Sequence, residues 1–520
     1  MPTMRELVAE LEQRREKIRE LGGPERVARQ HERGKLTCRE RLALLFDDAT
    51  WFEVGIHGTQ MGGDARDRPA ADAVVCGWGK VRGRLVAAAA YDFTVKGGSI
   101  GMTGETKVTR MRELALRCRM PMVWLVDSAG ARIDPKLTSQ GDFISLFAGS
   151  GHLFREEVIM SGVVPLVAAM MGPGAAGTAY IPALADFVPM VKGIGSMALA
   201  GPPLVKAVTG QEVTEQELGG SQVHCEKSGV GDLEVDDEPT CIETIKEYLS
   251  FFPQHCEERP PIISCDDPID RREERLLDVL PESSRQTYDV LEVIRLVVDH
   301  GKLLELKPRW ARAIVTGLAR LGGRPVGIVA NNPRHLGGVL TSDSADKAAR
   351  FIQLCDAFGL PLVFLMDVPG FMVGTQVEHT GIIRHGAKLL HAMASATVSK
   401  LTVCLRKGYG AGYYVMAGRA YEPDLLVAWP GAEIAVMGAD GMLGIAAKKL
   451  FGDTEPTPEV RAQLRQALQQ QIDINRVAGW GLVDDVIDPR DTRPLLCRAV
   501  EMSWDRKVER PWRKRGVMPV

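Results

Sequence analysis

Met170-Met-Gly172-Pro-Gly174-Ala-Ala-Gly177-Thr-Ala-Tyr180 is answered later in the chain by Arg406-Lys-Gly408-Tyr-Gly410-Ala-Gly412-Tyr-Tyr414. Each stretch follows an apolar run that reads as a buried strand (Val164 to Ala169, Lys400 to Leu405) and leads into small residues able to open a helix. A glycine turn in that place points free N–H groups outward at the positive end of a helix dipole, where a phosphate, a carboxylate or a developing oxyanion can bind. Gly172 to Gly177 also spells G-x-G-x-x-G. A dinucleotide-binding unit, however, wants an acidic residue about 20 positions further on, and Ile194 to Ala200 carries no charge. Glycines kept only for tight strand-to-helix packing are the plainer alternative; the recurrence of the motif has to be weighed against it.

The recurrence extends beyond the turns. Gly83-Arg84, Val86, Gly97-Gly98, Lys107, Arg110, Leu114, Pro121, Val123, Leu125, Asp127 and Gly130 reappear 240 residues later as Gly323-Arg324, Val326, Gly337-Gly338, Lys347, Arg350, Leu354, Pro361, Val363, Leu365, Asp367 and Gly370. Between Gly83 and Gly130, 14 of 48 residues are identical at that offset without a gap. The pattern is an internal duplication of one α/β domain, with boundaries placed at 1–260 and 261–520 and a proline-rich joining segment near 253–287. The turns fit the same duplication at an offset of 236, which pairs Gly172 with Gly408 and Gly174 with Gly410.

A chain of 520 residues needs at least two cores. Its net charge of −3 gives no pull toward nucleic acid or anionic membranes. No apolar run reaches the roughly 18 residues of a membrane span, and the charged start is not a signal peptide. The 10 cysteines include no C-x-x-C pair, which argues against a zinc ribbon and fits reduced thiols in a cytoplasmic or mitochondrial-matrix setting. Residues 4–33 read as a charged helical arm, followed by a short helix capped by Thr37 and a first strand over Trp51 to Gly55.

In each copy the strand ending at Asp127 or Asp367 runs into a turn (Ser128 to Arg132, Val368 to Phe371). This turn offers one backbone donor and the helix-start turn a second, which together make a two-donor oxyanion hole. Asp127 and Asp367 read as carboxylates tying down a loop. Arg132 suits a phosphate or solvent equally, and His224 reads as a hydrogen-bonded structural residue. No G-x-S-x-G, H-E-x-x-H or metal-spaced His/Cys set is present, so the paired backbone holes stand out as the catalytic equipment. Stabilising two oxyanions with little side-chain acid or base suits transfer of a carboxyl group between two enolate-like partners.

The chain resembles the carboxyltransferase (β) subunits of biotin-dependent acyl-CoA carboxylases, the family of the propionyl-CoA and methylcrotonyl-CoA enzymes. The resemblance rests on motifs in family order: Gly34-Lys-Leu-Thr37 with Arg39-Glu-Arg41, Asp92-Phe-Thr94, Asp127-Ser-Ala-Gly-Ala-Arg132, Met171 to Gly177, Ser228-Gly-Val230, Gly337-Gly338, Asp346-Lys347, Asp367-Val-Pro-Gly-Phe371 and Arg406-Lys407. It implies two tandem crotonase-like domains, a homo-hexameric core, and active sites where the N-terminal domain of one subunit meets the C-terminal domain of another.

It further implies an acyl-CoA thioester in the N-terminal domain, near Gly130, Arg132, Gly172 and Gly174, its carbonyl held by the N–H groups of Ala131 and Ala176-Gly177. Carboxybiotin, carried on a partner biotin carboxylase and carboxyl carrier (α) subunit, would lie in the C-terminal domain. There its ureido carbonyl would meet Phe371 and Ala411-Gly412, with Gly370, Gly408, Gly410, Tyr413 and Tyr414 lining the biotin site or the acyl pocket. No metal is implied in this subunit, and the chain carries no biotin-attachment motif.

Two departures stand out: Ala176 replaces the first glycine of the family's usual pair, and Tyr414 stands where the propionyl type has an aspartate lining the acyl pocket. The rival readings are a biotin-dependent acyl-CoA decarboxylase subunit, of glutaconyl-CoA or methylmalonyl-CoA type, and a catalytically silent scaffold.

Overall fold

A computed structural model describes residues 2–60, 70–132, 151–283, 286–452, 456–513 and 516–520. The chain divides into two compact units, Met1–Glu258 and Arg259–Val520.

The first unit opens with helices α1 (Met4–Arg19), α2 (Pro24–Glu32) and α3 (Cys38–Leu45). Thr37 caps α3 by accepting from Glu40 N–H, while the Glu40 carboxylate reaches back to Thr37 N–H. Its sheet is built from β1 (Phe52–Val54), β2 (Val74–Val81), β3 (Arg84–Tyr91), β4 (Met122–Ser128), β5 (Leu166–Ala175), β6 (Pro189–Val191), β7 (Ser196–Ala198) and β8 (Leu233–Val235). The order is β1-β2-β3-β4-β5-β6-β8, with β7 paired to the far end of β5. β2 and β3 form an antiparallel hairpin, and β3, β4 and β5 then run parallel. Helices α4 (Met102–Arg117), α5 (His152–Met160), α6 (Gly177–Leu184) and α7 (Glu238–Phe251) complete the layers used below. β4 is buried along its whole length, as a central parallel strand covered on both faces must be, and its Met-Val-Trp-Leu-Val run reflects that. Trp124 and Met170 lie in the core that this sheet shares with α4 and α5.

The second unit repeats this architecture. β9 (Leu304–Leu306), β10 (Ile314–Leu321), β11 (Arg324–Asn331), β12 (Leu362–Val368), β13 (Lys400–Tyr409), β14 (Leu425–Ala428), β15 (Glu433–Ala435) and β16 (Asp485–Val486) are ordered β16-β14-β13-β12-β11-β10-β9, with β15 on β13. Strand for strand this is the first sheet. Helix α8 (Gly410–Val415) follows β13 as α6 follows β5.

The strand register corrects the offset between the glycine stretches. Met122 pairs with Leu166 and Leu362 with Lys400, while Ser128 pairs with Gly174 and Val368 with Gly408. β13 therefore repeats β5 at an offset of 234, not 236. Gly174 matches Gly408, Ala176 matches Gly410, Gly177 matches Ala411, and Gly172 matches Arg406. Backbone conformation agrees, since Ala176 and Gly410 both have positive φ, 52° and 55°. Spacing glycine to glycine misleads because the two stretches hold their glycines in different places on the same backbone.

Candidate active site

The glycines expected in turns are divided between strand and turn. Gly172 and Gly174 lie inside β5 and Gly408 inside β13; the chain turns only at Ala176 and Gly410. Gly172 is a packing residue, because a Cβ there would fall 1.9 Å from Asp127 Oδ1 and 2.9 Å from Lys35 Nζ. A Cβ at Gly174 would fall 2.7 Å from Met170 Cε, and one at Gly408 2.8 Å from Met366 Sδ. None of these three glycines offers a ligand surface of its own.

The two turns of the first unit are packed against each other. Gly130 has φ 91°, and a Cβ on it would meet Ala175 O at 2.7 Å and Ala176 Cβ at 3.6 Å. The strand-end turn is held on its other side by a short parallel bridge, in which Ile100 N–H donates to Gly130 O and Arg132 N–H to Ile100 O. That pattern skips Ala131, whose N–H has no partner among the described residues. At the helix start, Ala176 N–H donates to Ala198 O at 3.1 Å and is therefore spent, which corrects its assignment as a hole donor. Gly177, the first residue of α6, has no intrahelical acceptor for its N–H, and no side chain caps the helix. Among the described residues, Ala131 and Gly177 are thus open donors at the two turns of this unit.

The second unit has the same arrangement. Leu340 N–H donates to Gly370 O and Met372 N–H to Leu340 O, which skips Phe371. Ala411 and Gly412 lie in the first turn of α8, again without a side-chain cap. A Cβ on Gly412 would fall 2.7 Å from Val368 Cγ2 and 3.3 Å from Gly370 Cα, so the glycine is what lets the two turns pack against each other. Among the described residues the open donors here are Phe371, Ala411 and Gly412.

Arg132, expected near the acyl-CoA, is engaged within its own unit. Its Nε donates to Ser99 Oγ at 3.1 Å and its Nη2 to Ser99 O at 2.8 Å, with a weaker contact to Asp72 O at 3.5 Å. Its Nη1 pairs with the Asp72 carboxylate and reaches Gln60 Oε1 at 3.5 Å. Every guanidinium donor is used inside the unit, which makes Arg132 a tie for the turn beginning at Gly130. Tyr413 is likewise structural in part: its hydroxyl accepts from Arg419 N–H at 3.0 Å, and its ring lies 3.2 Å from where a Cβ on Gly408 would be. Tyr414 is exposed, its ring 6.0 Å from that of Tyr413 and 6.3 Å from that of Tyr421. His224 bridges Ser228 Oγ at 2.7 Å and Met197 O at 2.8 Å, and burial lowers its pKa, in keeping with a structural imidazole.

Both aspartates are buried beside the turns. Asp127 accepts from Lys35 Nζ at 2.7 Å, Arg41 Nη1 at 3.0 Å and Gln30 Nε2 at 3.1 Å. Arg41 also holds Glu238 at 2.6 and 2.8 Å and Met171 O at 3.0 Å. Burial pushes the Lys35 ammonium down, opposed by Asp127; Arg41 is raised in spite of its burial because Asp127 and Glu238 more than offset it. Asp367 accepts from Arg406 Nε at 3.0 Å; burial raises its pKa, opposed by Arg406 and Lys407. In the sequence Lys35 and Arg41 stand out only as motif residues. Their partner lies some 90 positions away, so no local pattern reveals the contact. Among the described residues no group of three or more His, Cys, Asp and Glu is placed to hold a metal ion, and no helix is long and apolar enough to cross a membrane.

Two sheets of one topology, each ending in a pair of abutting turns with N–H groups that have no partner among the described residues, define a duplicated crotonase-like carboxyltransferase fold. Residues 29–518 match the carboxyl transferase domain model, and the chain belongs to that family. It is 42% identical to the methylmalonyl-CoA carboxyltransferase 12S subunit of Propionibacterium freudenreichii subsp. shermanii, covering 99% of this chain and 98% of the relative. It is 39% identical to the methylmalonyl-CoA decarboxylase subunit alpha of Propionigenium modestum, over 99% of both chains. A crystal structure of transcarboxylase 12S, described as a hexamer with methylmalonyl-coenzyme A and methylmalonic acid bound, superposes with a TM-score of 0.92 at 41% identity, covering 100% of both chains. The chain is thus an enzyme of the biotin-dependent carboxyltransferase class, which moves a carboxyl group between biotin and an acyl-CoA.

Proposed function

We propose that this chain is the carboxyltransferase subunit of an acyl-CoA carboxylase, assembled as a homo-hexamer and served by a partner subunit that carries and carboxylates biotin. The first unit takes the acyl-CoA, with the thioester oxygen accepted by Ala131 and Gly177 N–H. The second takes the biotin ureido oxygen at Phe371, Ala411 and Gly412 N–H. The observation that carries this reading is the set of donors without a partner among the described residues, one on the strand-end turn and at least one at the helix start of each unit, on turns that touch at Gly130 and at Gly412.

Fixed N–H dipoles do their work where negative charge grows. In the first unit they stabilise the enolate oxygen of the acyl group, and in the second the ureido oxygen of biotin. Biotin, when bound, supplies the carboxyl group as a carbamate and a nitrogen able to hold a proton. The open donors of the second unit, on turns packed against each other at Gly412, suit a neutral ureido carbonyl and need no charged side chain. One such donor is worth about 2.7 to 4 kcal/mol in a water-poor site, so backbone groups suffice. Tyr414, exposed beside Tyr421, stands at the position that the resemblance places in the acyl pocket, and we read it as the side chain that limits the acyl range.

The assay is carboxyl transfer between free biotin and a panel of acyl-CoAs, from acetyl to branched and long-chain thioesters, by the purified assembled chain. Transfer with one class supports the reading and names the substrate; none with any thioester refutes it. The similarity to a methylmalonyl-CoA decarboxylase subunit favours a second reading in which the same site runs in reverse, delivering carboxyl to biotin. Supplying an ATP-dependent biotin carboxylase partner separates the two: net carboxylation supports the first, and release of carbon dioxide only the second.

A further inference from the structure

We infer that Asp127 and Asp367 are positioning residues for carboxyl transfer, each locking a strand bulge that aims the helix-start donor of its hole. The inference rests on the two-hole reading above. Along β4 the pairing passes from Val126 to Ser128 while β5 passes from Met170 to Gly174; along β12 it passes from Met366 to Val368 while β13 passes from Cys404 to Gly408. The longer strand thus carries two extra residues at the same place in both units. A bulge in a parallel pair is uncommon, leaves backbone groups unpaired and redirects the strand beyond it. Beyond it here lie Gly177 and Ala411. Each aspartate is the residue opposite its bulge, fully buried, at 0% and 1% exposure.

The locks use different cations to the same end. In the first unit the cations come from the N-terminal segment: Arg41 ties Asp127 to the bulge carbonyl of Met171 and to Glu238, and Lys35 takes the other carboxylate oxygen. In the second unit the cation is Arg406, a residue of the bulge itself, which also donates to Gln286 O at 2.9 Å. Arg406 matches Gly172 in register, and the side chain missing at Gly172 leaves the room that Asp127 and Lys35 occupy. Carboxylate and bulge are kept in both units while the cation has moved. Because the cation differs while carboxylate and bulge stay together, the carboxylate is tied to the bulge and not to one particular partner.

The test compares Asp127→Asn and Asp367→Asn, which keep side-chain shape and remove charge. Two rates are measured per folded active site: breakdown of free carboxybiotin without acyl-CoA, and full transfer to acyl-CoA. Tm and oligomeric state are followed in parallel. Asp367→Asn is expected to lower carboxybiotin breakdown by about tenfold to a hundredfold. Asp127→Asn is expected to lower the ratio of transfer to breakdown by a similar factor, with acyl-CoA KM within threefold. If the effects fall on the opposite units, the locks stand and the assignment of substrates to units fails. If Tm falls while both rates per folded site stay within threefold, the aspartates only hold the fold and the inference is overturned. Arg41→Lys and Arg406→Lys, which keep charge but lose the guanidinium fork, carry the same comparison should the asparagine variants not assemble.

Discussion

Gly130→Ala is the perturbation that bears most directly on the first hole. Gly130 sits at φ 91°, and its new Cβ would be 2.7 Å from Ala175 O, against backbone rather than a side chain that could swing away. Left-handed backbone costs an L-residue about 1 to 2 kcal/mol, and relieving the contact means separating the turns by roughly 0.5 Å, given an ordinary separation above 3 Å. Such a movement takes Ala131 and Gly177 N–H out of their shared reach, and a misplacement of about 1 Å can cost roughly a hundredfold in rate. Half that displacement corresponds to about a tenfold loss, so the expected result is kcat for transfer lowered about tenfold, with acyl-CoA affinity changed little because the donors act mainly on developing charge. Steady-state kinetics on the assembled variant, normalised to folded protein by near-UV circular dichroism, checks this. A variant that folds and turns over within threefold of the parent would show that the packing of the two turns has no part in catalysis.

Other positions give independent checks. Ala176 adopts φ 52° and ψ −118°, a conformation suited to glycine, and its counterpart is Gly410; Ala176→Gly should remove about 1 to 3 kcal/mol of strain against 0.5 to 1 kcal/mol of added chain entropy, raising Tm by about 2 °C in calorimetry. Both oxygens of Glu157 on α5 are buried without a partner among the described residues, and burial holds its pKa well above 4.5. Its folded pKa being raised, the native chain keeps a proton that the unfolded chain loses, so stability falls by about 1.4 kcal/mol per pH unit as pH rises above roughly 4.5 toward the folded value. Glu157→Gln should abolish that difference, matching the parent near pH 4.5 and exceeding it at pH 8 in denaturant titrations. Tyr414→Asp should shift the ratio of kcat/KM toward short acyl chains, about tenfold in a chain-length series.

The duplication was legible because its markers are rigid requirements: Gly97-Gly98 against Gly337-Gly338 at a tight turn, Lys107 against Lys347, and Asp127 against Asp367 at the strand end. Lys107 Nζ donates to Ala71 O and Val74 O, and Lys347 Nζ to Lys307 O and Ile314 O, so each lysine ties down the segment entering its sheet. The register of the turns was not legible. Glycine serves three purposes there, room for the Asp127 pair at Gly172, room for Met170 at Gly174, and positive φ at Gly410, and letters alone do not tell them apart. Nor could sequence show that Ala176 N–H is taken by Ala198 or that Asp72 claims Arg132, since both partners come from segments distant in the chain.

Deleting one donor without disturbing the helix tests the central claim most directly. Gly177 is the first residue of α6, where proline removes no intrahelical hydrogen bond; because Ala176 before it holds a conformation that a following proline disfavours, the comparison is made only on a variant whose Tm and assembly match the parent. Transfer of labelled carboxyl from an acyl-CoA to free biotin is measured for the parent and for Gly177→Pro. The account predicts transfer by the parent and a loss of about a hundredfold or more in kcat for a correctly assembled Gly177→Pro. Equal rates for the two proteins would contradict it.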